Sequence, residues 1–91
     1  MNTDYPQGPL FLEPRLVYDC AFVGWGRRPA DPTPIAVYDW HKVRDASRVW
    51  YAMTFDEADE FVAVTIEGAW LGPGTPLLLQ TGTITELEDL L

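Results

Sequence analysis

The C-terminal half of the chain lacks Lys and Arg entirely. All six basic residues of the 91-residue chain precede position 49, where six acidic residues balance them. Residues 49–91 contain eight acidic residues, so this half carries the whole net charge of −8. A field of one sign repels nucleic acid, discourages self-association and favours basic protein partners. Direct nucleic-acid binding is not expected, because Arg27-Arg28 is too small a basic patch to overcome that field.

Cysteine is almost absent, and long apolar runs are missing. Cys20 is the only cysteine, which excludes an intrachain disulfide and favours a reducing cytosol. The segment Met1–Pro6 has neither the basic region nor the apolar run of a signal peptide. No apolar stretch approaches the roughly 20 residues that a membrane-spanning helix needs. We therefore expect a cytoplasmic protein that does not contact a membrane.

The length of the chain predicts one domain over residues 1–91, because a second hydrophobic core could not be filled. A hydrophobic content of 47% is normal for a globular protein. Residues 1–14 contain Pro6, Pro9 and Pro14, which predict an extended arm rather than a helix.

Composition predicts several strands separated by turn residues. Residues 16–23 and 35–40 are rich in β-branched and aromatic residues, and residues 76–80 form a short apolar run. Two glycines and three prolines predict a loop over residues 24–34. Residues 41–47 are polar and predict a turn or one short helical turn. Helical and strand patterns compete over residues 48–53, where we favour a third strand.

An amphipathic helix is predicted over about residues 55–71. Thr54 and Glu57 have the spacing of a capping box, and Gly72-Pro73-Gly74 ends the pattern. Another capping-box signature at residues 85–88 predicts a short C-terminal helix. The fold class is therefore α+β, with a three- or four-stranded, mainly antiparallel sheet packed against the one amphipathic helix. On a helical wheel the apolar arc of that helix contains Phe55, Ala58, Phe61, Val62, Thr65, Ile66 and Ala69.

Residue types that support catalysis or bind metal are scarce. His41 is the only histidine, so a metal site lacks a second histidine or a cysteine pair. Nothing in the sequence orients Cys20 and His41 as a nucleophilic pair. Gly72-Pro73-Gly74 lacks the Lys and the helix start of a phosphate-binding loop. We expect no enzymatic activity, no metal and no cofactor.

Three acidic residues lie together on the helical wheel, opposite the apolar arc. Asp56, Glu60 and Glu67 form this acidic stripe, and they are candidate partner-binding residues. Carboxylates in such a row imitate nucleic-acid phosphates and suit a basic groove on a nucleic-acid-binding protein. The alternative is a solvated helix surface, in which the helix dipole alone explains Asp56.

The segment Gly24–Pro29 provides a second candidate contact region. Trp25, Arg27 and Arg28 are of the residue types most enriched at interface hot spots. In the alternative interpretation, Trp25 packs onto the sheet and both arginines pair with Asp31 or with the acidic helix. The sequence leaves both interpretations open.

The leading hypothesis is a small acidic intracellular binding or inhibitor protein that occupies a partner's basic, nucleic-acid-binding surface. In size and charge the chain is similar to small acidic inhibitors encoded by phages, including anti-CRISPR and anti-restriction proteins, although no shared motif supports the similarity. The alternative is a structural or accessory subunit that forms a homodimer or part of a larger complex. Its interface would come from the apolar arm at residues 10–12, Trp70 or the Leu-rich tail.

Overall fold

A three-stranded mixed sheet forms one layer of this small α+β protein. In the computed structural model, which describes residues 9–69, 72 and 74–91, the strand order is β1-β2-β3. Strands β1 (Phe22–Arg27) and β2 (Pro34–Asp39) pair antiparallel, and β3 (Leu77–Leu79) pairs parallel with β2. We predicted a mainly antiparallel sheet, and the parallel pairing of β3 corrects that expectation.

Several helices accompany the sheet, where we predicted one main helix and a short C-terminal one. Helix α2 packs against α1, α3 and β2, so it lies at the centre of the helical layer. A 3-10 turn follows α1, and a π-helix continues α3. The bounds are α1 Arg15–Tyr18, the 3-10 turn Asp19–Ala21, α2 Trp40–Trp50, α3 Phe55–Phe61, the π-helix Val62–Glu67 and α4 Ile84–Glu88.

The first strand begins later than predicted, and residues 16–23 are mostly helical. Val17, Tyr18 and Ala21 are buried, which is the spacing of a helical surface and not the alternation of a strand. Strand β1 then extends through Gly24 and Gly26, which we had placed in the loop of residues 24–34. Strand propensity at residues 16–21 is overridden by tertiary packing, as is common for β-branched and aromatic residues.

The third strand predicted at residues 48–53 is wrong, because α2 runs through Trp50. Asp39 caps this helix by accepting a hydrogen bond from the Lys42 backbone N–H at 3.0 Å. Val43 and Ser47 are fully buried one helical turn apart. Val49, which favours a strand by propensity, is 73% exposed on the helix. Burial at helical spacing therefore decides the structure of this segment.

Helix α3 begins as predicted, at the capping box of Thr54 and Glu57. Ala58 and Val62 of its apolar arc are fully buried. The helix widens into the π-helix at Val62 and ends at Glu67, short of the expected residue 71. Residues 70 and 71 lie outside the described part of the chain.

The C-terminal elements agree with the predicted types but not with every detail. Strand β3 lies within the predicted segment 76–80. The capping box of α4 joins Thr83 to Glu86, two residues before the predicted Thr85. Thr83 and Thr85 each lie three residues before a glutamate, so spacing alone fits either cap, and the structure uses Thr83.

Tyr18 and Tyr38 are the largest buried side chains of the core, and their hydroxyls need partners. Tyr18 shares a hydrogen bond of 2.6 Å with the Ser47 hydroxyl, which connects α1 to α2. The Tyr38 hydroxyl accepts a hydrogen bond of 3.0 Å from the Leu12 backbone N–H. Buried hydroxyls without such partners would oppose folding. The core cluster consists of Val17, Tyr18, Ala21, Ala36, Tyr38, Val43 and Val62.

We predict that Ser47→Ala lowers the free energy of unfolding by about 1–3 kcal/mol, because it leaves the buried Tyr18 hydroxyl without a partner. Adding Tyr18→Phe removes that orphaned hydroxyl, so the double variant should be less destabilised than the sum of the two single variants. Urea unfolding followed by circular dichroism measures all four proteins. Additive losses would contradict a coupling between these side chains.

Stability should also fall at alkaline pH. Burial raises the pKa of the Tyr18 and Tyr38 hydroxyls, although their hydrogen bonds with Ser47 and Leu12 oppose the rise. The unfolded tyrosines ionise first, so their contribution is complete below about pH 10 and is lost as pH rises through the folded pKa. Urea unfolding between pH 8 and pH 11 should show this loss, with a smaller slope in Tyr18→Phe. An unchanged slope in that variant would contradict the assignment.

Candidate partner-binding surface

Helix α3 presents two of the predicted acidic residues to solvent. Ala58 and Val62 are buried, which turns Asp56 and Glu60 outward, and both are exposed. They lie one helical turn apart, about 6 Å along the axis. Among the described residues, neither carboxylate forms an ion pair or a hydrogen bond. Two negative charges therefore remain open to a partner on this surface.

Glu67, unlike Asp56 and Glu60, has a hydrogen-bond partner within the protein. Its carboxylate accepts a hydrogen bond of 3.1 Å from the indole Nε1 of Trp40, so the side chain connects the π-helix to the start of α2. The wider turns of the π-helix also invalidate the regular spacing that placed Glu67 in line with Asp56 and Glu60. The acidic stripe thus contains two freely exposed carboxylates and a third that contacts α2.

The arginines that contact α3 come from α2 and were not among the predicted site residues. The Arg44 guanidinium lies 3.4 Å from the Asp59 carboxylate and 5.3 Å from the Phe55 ring centroid. Arg48 stacks on the same ring at 4.4 Å. The spacing of Arg44 and Arg48 was the available signal, but the strand predicted at residues 48–53 concealed it. These cations lie on the side of α3 that contacts α2.

Arg44 has a second acidic neighbour, Asp45, at 3.0 Å. Partial burial lowers the pKa of Arg44, but its hydrogen bonds to Asp45 and Asp59 outweigh this effect. The pKa of Arg44 is therefore raised overall. Arg44 therefore neutralises Asp59, and Asp59 lies outside the acidic stripe.

The predicted contact residues Trp25, Arg27 and Arg28 lie in β1 and directly after it. Trp25 is 71% exposed, so it does not pack down onto the sheet. Arg27 donates from Nε to the Pro32 carbonyl at 3.1 Å. Arg28 donates from Nη2 to the Thr75 carbonyl at 3.5 Å. Both arginines hold their surrounding loops through backbone oxygens.

The charge of Arg28 has a small effect on the pKa of Asp31, which lies in the loop after β1. Hydrogen bonds from Thr33 lower the pKa of Asp31, and the charge of Arg28 adds a smaller effect in the same direction. Arg28 and Glu67 also line one small cleft of about 180 Å³. The predicted pairing of this loop with acidic groups therefore exists only in part, through Arg28.

Four of the six predicted partner-binding residues fall into two groups, whereas Arg28 and Glu67 line one cleft together. Strand β1 packs on β2, whereas α3 packs on α2. No hydrogen bond, ion pair or ring contact within the described residues joins Trp25 or Arg27 to Asp56 or Glu60. Two separate patches result, one with exposed carboxylates on α3 and one with an exposed indole on the edge strand.

Cys20 and His41 occupy separate surroundings. Cys20 is exposed on the 3-10 turn, and not inside a strand as predicted, with its thiol donating to the Val17 carbonyl at 3.3 Å. The His41 ring contacts the edge of Trp40 at a centroid distance of 5.3 Å. No contact within the described residues links the cysteine to the histidine.

A further group of exposed side chains is apolar. Ile84 and Leu87 of α4 are exposed, as are Leu90 and Leu91 after it, and α4 contributes no buried residue. The alternative hypothesis from the sequence assigns this Leu-rich tail to an interface. The structure shows a capped helix that has not buried those leucines.

Matched capping boxes on α3 and α4 allow a direct test of this difference. Thr54→Ala should lower the global free energy of unfolding by about 1 kcal/mol, because α3 packs into the core. Thr83→Ala removes the same interactions from α4 but should leave the unfolding midpoint unchanged, since no residue of α4 is buried. Urea denaturation compares the two variants, and equal losses would show that α4 contributes to the cooperative unit.

Nowhere in the described part of the chain do three or more His, Cys, Asp or Glu side chains come together as metal ligands. None of the helices in residues 9–69, 72 and 74–91 combines the length and apolarity that a membrane crossing requires.

Comparison with known protein families, curated proteins and solved structures finds no match.

Proposed function

We propose that this chain is a small acidic binding protein that occupies a basic surface of a protein partner, one that itself binds nucleic acid. The observation that carries the proposal is the exposure of Asp56 and Glu60 on α3 without an ion pair among the described residues. The capped helix fixes the backbone spacing of the two residues. The backbone at this surface therefore need not become ordered when a partner binds.

The charge distribution supports a basic partner. Residues 49–91 carry the whole net charge of −8, and Arg44 neutralises Asp59 instead of the exposed pair. Arginine side chains of a partner match carboxylates with two parallel hydrogen bonds, which gives both strength and orientation. The overall field would also speed the encounter with a positively charged surface.

Trp25 offers an apolar anchor for a second contact. An exposed indole on an edge strand buries a large area when a partner covers it, and tryptophan is enriched among hot-spot residues. Arg27 and Arg28 stiffen the segment that follows by holding backbone carbonyls. In this proposal the carboxylates orient the partner and Trp25 contributes buried area.

The test uses the full chain as bait for the protein that it captures from host cells, with the affinity then measured on the purified pair. We expect Asp56→Lys/Glu60→Lys to weaken binding at least about tenfold, because like charges would then face each other. Binding by the original chain should also weaken steeply as salt rises.

The matched control is Glu88→Lys/Asp89→Lys, which changes the net charge equally at the C-terminal end of α4. It should retain most of the affinity if the position of the charges on α3 matters. Full binding by the α3 double variant would overturn the proposal. Equal losses in both variants would point to net charge alone.

A second candidate is an accessory subunit that assembles through apolar contacts. The exposed side chains of Leu87 in α4 and of Leu90 and Leu91 after it favour this candidate. Of the other segments named for this role, Leu12 packs against the core, while Trp70 lies outside the described residues. In the same binding experiment, an interaction that persists at high salt would favour this candidate over charge-led binding.

A further inference from the structure

A cleft of about 240 Å³ opens where the N-terminal segment meets the end of α2, the π-helix and the approach to β3. Five separate parts of the chain form its wall, so it exists only in the folded protein. Most of the lining is apolar or aromatic. The lining residues are Leu12, Glu13, Tyr18, Tyr51, Phe61, Thr65, Ile66, Ala69, Thr75 and Pro76.

Aromatic rings and a single carboxylate set the chemistry of this cleft. The rings of Tyr51 and Phe61 lie 5.2 Å apart between centroids and are tilted by 49°. Tyr51 is 45% exposed, so its ring remains accessible. Among the described residues of the lining, Glu13 is the only charged one; it is exposed and forms no ion pair within that part of the chain. Arg15, which pairs with Asp19, interacts electrostatically with Glu13 from outside the lining. An aromatic wall beside a carboxylate favours an organic cation.

The chain uses the same combination for its own arginines. The Arg15 guanidinium lies 4.4 Å from the Phe11 ring centroid and 3.0 Å from the Asp19 carboxylate. Arg44 likewise lies between aromatic rings and carboxylates. A planar guanidinium stacks on rings and pairs with carboxylates, whereas an ammonium acts as a point charge. No arginine or lysine is among the described residues that line the cleft.

We propose that this cleft binds an arginine side chain of a basic protein partner. The stem would lie along Leu12, Ile66 and Pro76, and the guanidinium would contact Glu13 and the rings of Tyr51 and Phe61. Space suffices, since a cavity of about 150 Å³ already holds benzene. The proposal rests on the proposed function for the source of the arginine, but the cleft itself can be tested without the partner.

The probe is N-acetyl-arginine methylamide, titrated into the full chain while NMR follows the ring resonances of Tyr51 and Phe61. N-acetyl-citrulline methylamide has nearly the same shape without the charge and serves as the matched ligand. We expect saturable shifts with millimolar affinity, and binding of the arginine compound at least about fivefold tighter than that of citrulline at low salt.

Two variants test the assigned contacts. Glu13→Gln removes the charge from an exposed position, and Tyr51→Leu removes a half-exposed ring while keeping apolar bulk. Each should weaken arginine binding at least about threefold. Glu88→Gln removes an equal charge outside the cleft and should bind like the original chain.

The outcomes separate this proposal from the proposed function. Equal binding of citrulline, an absence of saturable ring shifts, or full binding by Glu13→Gln would overturn the arginine site. None of these results would affect partner binding through Asp56 and Glu60. Conversely, loss of the proposed function with intact arginine binding would leave the cleft as a guanidinium site.

Discussion

The packing of α2 depends on the buried hydrogen bond between Tyr18 and Ser47. This bond joins residues 29 positions apart in the sequence and connects the first helix to the central one. Val43, one turn earlier on α2, is fully buried against the same core. With α2 fixed in this way, Arg44 and Arg48 lie against α3 and Trp40 contacts the π-helix. The buried contacts that hold α2 therefore also determine which cations lie near the acidic residues of α3.

That arrangement sorts the acidic residues into those with internal roles and those without. Asp59 contacts Arg44, Glu67 accepts from Trp40, and Glu57 completes the capping box. Asp56 and Glu60 have no such role among the described residues. A chain with a net charge of −8 therefore leaves only part of that charge on α3 for recognition.

Local sequence patterns predicted the features that depend on residues close to one another in the sequence. The capping box at Thr54 and the outward position of Asp56 and Glu60 depend on neighbours within a turn. Strand β2 coincides with a local run rich in β-branched and aromatic residues. Residues 16–21 and 48–50 could not be assigned in this way, because burial beside Ser47 and Val43 overrides strand propensity there. The parallel pairing of β3 depends on a contact that no local pattern encodes.

The candidate site was predictable to the same extent. Glu67 left the predicted stripe because the π-helix breaks the regular spacing, and Arg44 was missed because its segment was assigned as a strand. The cleft could not be found from the sequence at all. Its lining combines Glu13, Tyr51, Phe61 and Pro76, which only the fold brings together.

The π-helix at Val62–Glu67 changes the helical spacing within one continuous helical segment. Asp56, Glu60 and the cleft residue Phe61 precede it, whereas Thr65 and Ile66 of the cleft wall lie within it. Each residue added to or removed from a helix rotates everything that follows by about 100°. A single insertion or deletion in this segment would therefore turn Thr65 and Ile66 while the capping box kept the exposed carboxylates and Phe61 in place. The shape of the cleft would then change while the carboxylate pair stayed the same.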